Sequence, residues 1–161
     1  NWELGTRDTG AYATFSDVVN YFAWLGGHFT NSGDLRARIE AAAQAIHAHE
    51  KTLTDAMLYG TGNLKGLTEL PGVGIIGGAG NPAREGLVSV TVESKEASLV
   101  VAALNAEGIR THTRKADHYS GNILTPLGLP SCIRVSLCHY NTVEEVARFL
   151  AVMAEITEAA A

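Results

Sequence analysis

Arg134, in the stretch SCIRVSLCHYNTVEE (residues 131–145), is the residue whose type and position most need a chemical explanation. Ile133, Val135 and Leu137 alternate as the buried side of a strand, which puts Arg134 on the other side with Cys132, Ser136 and Cys138. Burying a guanidinium with neither an anion nor water is very costly, so Arg134 must face one of them. Its planar fork suits two-pronged recognition of a carboxylate. On the residues alone two explanations stand level: a ligand carboxylate, or a structural ion pair with one of the 17 acidic side chains.

Other candidate chemistry is weaker. In PGVGIIGGAGNP (71–82), Gly72, Gly74 and Gly77 share the G-x-G-x-x-G spacing of dinucleotide sites. They precede and interrupt a strand rather than following one and opening a helix, so turn and strand-end roles are expected. His47 and His49 lie two apart on a helix and do not share a face, which speaks against a common metal ion. His112, His118 and His139 would have to converge in three dimensions, and no cysteine or carboxylate spacing supports zinc. No metal site is therefore expected. Cys132 and Cys138 are potential nucleophiles, but most free cysteines are small buried hydrophobes, and a structural role is the expectation here.

The elements that must hold these groups read in order. An apolar stripe of Val18, Val19, Phe22 and Leu25 predicts a helix from about Thr14 to Leu25, stopped by Gly26-Gly27. A longer helix follows from about Asp34 to Tyr59, with Leu35, Ile39, Ala42, Ile46, Leu53 and Met57 inward and Asp34 as its cap. The second half changes rhythm. VGIIGG, GLVSVTVE, IRTHTRK and CIRVSLC read as strands, with a helix over about 95–105 between the second and third. SGNILTPLGLP is a loop or a short helical turn. Thr142 and Glu145 form a T-x-x-E capping box opening a last helix to about Ile156, with Val146, Leu150 and Met153 inward. Helices first, then strands interleaved with helices, predict an α+β fold whose small, mainly antiparallel or mixed sheet packs against helices.

At 161 residues the chain is most simply a single domain over 1–161, with an ordinary globular composition of 46% hydrophobic and 18% charged residues. A net charge of −5 without a basic run argues against nucleic acid or a membrane surface as partner, and no apolar run is long enough for a membrane helix. On one extended strand the two cysteines would lie about 20 Å apart, beyond the ~7 Å a disulfide spans. Free thiols fit a reducing cytoplasm. The opening NWELGT carries no methionine and is already patterned, so the chain reads as a piece of something longer.

WELGT before a helix, HAHE on the long helix, then LPGV, GLVSVTV, LNAEGIRT and IRVSLCHYNTVEEVARFLAVM together resemble the C-terminal part of class V aminotransferases. That family includes the cysteine desulfurases and isopenicillin N epimerase-like enzymes, which use pyridoxal 5′-phosphate (PLP). The resemblance covers nearly the whole chain, and IRVSLCHYNTVEEV is its most specific block. It implies the minor domain of a fold-type I enzyme, packed on a larger PLP-holding domain within a homodimer and linked to it through residues 1–12. It also implies that Arg134 binds the α-carboxylate of an amino-acid substrate, with His118 in the preceding loop beside it. Gly5 and Thr6 would reach the cofactor phosphate of the opposite subunit, where an amide and a hydroxyl suit an anion.

The sequence departs from the family at two points. The family's PLP-bearing lysine belongs to the large domain, and Lys51, Lys65, Lys95 and Lys115 stand in other contexts. No residue of this chain is thus expected to be catalytic, and the isolated chain is expected neither to hold PLP covalently nor to turn over amino acids. Desulfurases also carry a cysteine nucleophile in the loop before the R-V-S strand. Here that loop, KADHYSGNILTPLG, has His118, Tyr119 and Ser120 and no cysteine, so transaminase, epimerase and lyase chemistries stay open. The rival from another class is a stand-alone α+β module that binds a small molecule or protein without chemistry.

Overall fold

The structure is a computed structural model that describes residues 8–158. The described residues form two compact units, one running up to Ala48 and the other starting at His49.

The first unit holds α1 (Thr9–Gly26) and the beginning of α2 (Leu35–Tyr59). α1 starts at Thr9, five residues before the expected Thr14, because Asp8 caps it, its Oδ1 accepting from the Ala11 amide at 3.1 Å. Asp34 caps α2 as expected, Oδ2 accepting from the Ala37 amide at 2.8 Å. Gly26 ends α1 in contact with the next helix, where a Cβ would collide with the Arg38 carbonyl. Only a glycine fits that approach. Val19, Phe22 and Leu25 are half-buried, whereas Val18, Tyr12, Phe15, Tyr21 and Trp24 are exposed.

The second unit is built on a sheet of β1 (Val73–Ile75), β2 (Leu87–Val92), β3 (His112–Lys115) and β4 (Ser131–Ser136), in the order β1-β2-β4-β3. All three pairings are antiparallel. Val88, Val90, Val92, Ile133 and Val135 point to one face, against Leu53 and Met57 of α2, α3 (Ala97–Ala106) and α5 (Val143–Glu158). Each fully buried aliphatic side chain contributes about 1.5–3 kcal/mol. The expected α+β sheet packed on helices is what the chain forms, and the sheet is antiparallel throughout.

Local rules set several boundaries. β3 begins at His112 rather than Ile109 because α3 ends in a Schellman motif. Gly108 takes φ +73°, and the Ile109 and Gly108 amides return to the Leu104 and Asn105 carbonyls at 2.9 and 3.0 Å. The capping box of α5 forms reciprocally: the Thr142 amide donates to Glu145 Oε2 at 2.9 Å and the Glu145 amide to Thr142 Oγ1 at 3.3 Å. Lys95 Nζ donates to the Ile156 carbonyl at 2.7 Å, a cation at that helix's C-terminal end. A single short helical turn, α4 (Gly121–Leu124), sits in the loop between β3 and β4. Gly77 and Gly78, both at positive φ, turn the chain after β1, and Arg84 ties the return to the Ile76, Gly78 and Leu87 carbonyls at 3.2, 2.6 and 3.0 Å. The glycine-rich stretch is thus strand and turn.

Candidate functional site

The second face of the sheet is polar, and register decides its membership. Arg134 pairs with Ser89 of β2 on one side and His112 of β3 on the other, and Arg114 pairs with Cys132. Directly paired residues share a face, as do residues two apart on a strand, so Ser89, His112, Arg114, Cys132 and Arg134 stand on the same side. Arg134 is half-buried, and its Nε is shielded from solvent without a hydrogen-bond partner among the described residues. No ion pair to Arg134 is formed among those residues either. An unmet donor of this kind costs about 1–3 kcal/mol. The structural ion pair, one of the two explanations open from sequence, thus has no acid among the described residues to supply it.

Cys132, 4% exposed, lies between the two arginines. Burial pushes its thiol pKa up, against the opposing pull of the Ser89 hydroxyl and the Arg114 and Arg134 charges. It stays a protonated thiol at neutral pH, a packing group rather than a nucleophile. Cys138, half-buried past the end of β4, meets the Tyr140 hydroxyl and raises its pKa; both cysteines are free.

His118 is exposed on the loop after β3, its ring 4.0 Å from that of Tyr119. Its neighbour Asp117 accepts from the Ser120 and Tyr119 amides at 2.8 and 2.9 Å, which hold that carboxyl below its usual range, with smaller help from His118 and Arg114. Among the described residues, His118 is in contact with Tyr119 and acts on Asp117. Gly5 and Thr6 lie outside the described residues. His112 and Arg114, not singled out from sequence as site residues, are the additions. Their alternation in THTRK was visible, but only the pairing with β4 puts them beside Arg134.

Two hollows flank the sheet, and Arg134 lines neither. One of about 300 Å³ includes Arg110, Thr111, Asn141, Glu145 and Arg148; the other, about 570 Å³, includes Lys95, Ser98, Lys115 and Ser131. Arg134 belongs instead to the open polar face. His49 Nε2 bonds the Asn141 carbonyl at 2.9 Å, and among the described residues no cluster of three metal-binding side chains occurs. No helix of the described residues is long and apolar enough to cross a membrane.

A family model for class V aminotransferases matches residues 34–149. The chain belongs to the class V aminotransferase family. Among curated relatives, a probable cysteine desulfurase of Mycolicibacterium paratuberculosis is 36% identical over 160 residues, covering 99% of this chain and 20% of the relative. Probable cysteine desulfurase 1 of Mycobacterium leprae is 36% identical over 124 residues, covering 77% and 19%. The chain therefore spans about a fifth of the length of these relatives. Among solved structures, the apo cysteine desulfurase of Thermococcus onnurineus NA1 superposes with a TM-score of 0.60 at 26% identity, covering 78% of this chain and 30% of that one.

Enzymes of this class V family depend on PLP. The described residues fit an anionic ligand better than they fit the cofactor itself. The unmet Arg134 donor suits a carboxylate, but no lysine here is a desolvated amine of the kind that holds PLP. Lys51 pairs with Asp55 at 2.6 Å, Lys95 is bound to the end of α5, and Lys65 and Lys115 are exposed.

Proposed function

We propose that this chain is the minor, C-terminal domain of a PLP-dependent class V enzyme, and that Arg134 binds the α-carboxylate of its amino-acid substrate. The observation that carries the proposal is the half-buried guanidinium on an open sheet face, with an unmet donor and no acid paired to it among the described residues. Two parallel charge-assisted hydrogen bonds would satisfy it and fix the orientation of the substrate. PLP supplies the electron sink for chemistry at the substrate α-carbon, and it is held by a larger domain. This chain contributes binding and orientation, with His118 at the rim of the site and Gly5 and Thr6 directed to the cofactor phosphate across a homodimer.

Two features favour transamination, epimerisation or lyase chemistry over desulfuration. The loop from Lys115 to Gly128 holds no thiol, and the Cys132 thiol is kept protonated by burial. The exposed aromatic side chains of α1, Phe15 and Trp24 at 70% and 61% exposure among them, are the surface proposed to meet the large domain or the second subunit. Two free cysteines fit a cytoplasmic enzyme.

The test uses the full-length protein with PLP bound. Affinities for an L-amino acid and for the amine lacking its carboxylate are compared by titrating the cofactor absorbance. The wild type should favour the amino acid strongly, and Arg134→Gln should erase that preference while leaving the amine unaffected. Equal affinities in the wild type, or a preference that survives Arg134→Gln, would dismiss the role.

A further inference from the structure

We draw no further inference here: the strongest candidate, the hollow of about 570 Å³ where the N-terminal end of α3 meets Lys115 and Ser131, rests on a helix N-terminus, and none of the buried side-chain atoms left without a partner among the described residues belongs to its lining.

Discussion

Replacing Arg134 by lysine keeps the charge and removes the fork, which makes it the sharpest probe of the site. In the folded chain Arg134 is half-buried with its Nε unpaired, so a carboxylate arriving there would form bonds that no described protein group competes for. Charge-assisted hydrogen bonds contribute about 1.5–3 kcal/mol each. Lysine can supply one such bond but not the parallel pair, so one bond of that size should be lost. A loss of 1.5–3 kcal/mol corresponds to a roughly 10- to 150-fold fall in kcat/KM of the full-length enzyme. Because the lost contact is made to the substrate before and during reaction, most of the change should appear in KM. Stability should move the other way or not at all, since the substitution removes a shielded donor that lacks a partner. The assay is steady-state kinetics on the full-length enzyme, with thermal unfolding as the control for folding. A kcat/KM within twofold of wild type, with Tm unchanged, would refute the reasoning. So would a fall in activity matched by a collapse in Tm, which would mean that Arg134 holds the sheet together.

Four further outcomes follow from the geometry. Gly26→Ala should destabilise the protein by about 1–3 kcal/mol or more in urea unfolding, because its Cβ meets the Arg38 carbonyl; a change under 0.5 kcal/mol would mean the helices do not approach so closely. The Glu145 carboxyl is held below its usual range, first by the Asn141 side chain and then by the Thr142 amide. Its folded pKa is therefore depressed, so its contribution is complete above the unfolded value of about 4.3 and lost as pH falls through the lower folded value. Glu145→Gln should accordingly flatten the acid limb of the stability curve, and an unchanged limb would count against the capping box. Cys138 should react with iodoacetamide at pH 7.5 well before Cys132, whose thiol is buried and raised in pKa, and peptide mass mapping that finds equal rates would contradict this. Arg84→Ala removes three hydrogen bonds to the turn after β1, so amide exchange over residues 76–87 should accelerate while the α5 amides keep their protection.

Much of this protein is local and was therefore legible in its sequence. The Asp34 cap, the Thr142–Glu145 box, the strand alternation and the polar side of Arg134 each depend on residues within one element, where spacing alone fixes which face a side chain takes. The family resemblance, too, lay in contiguous blocks, and the family match and the fold agree with it. Tertiary structure decided the rest. A period of two tells a strand which side is buried but not which strand lies beside it, so the order β1-β2-β4-β3 could not be read from alternation. That order is what seats Arg134 between Ser89 and His112 and brings Arg114 opposite Cys132. The early start of α1 and the late start of β3 came from an isolated Asp8 cap and a glycine-ended helix, whose hydrogen bonds overrode the apolar pattern around them. The charge balance of the site is likewise a property of the assembled sheet. Whether an arginine is paired depends on what lies across the ladder from it, and those neighbours are up to 45 positions away in the chain.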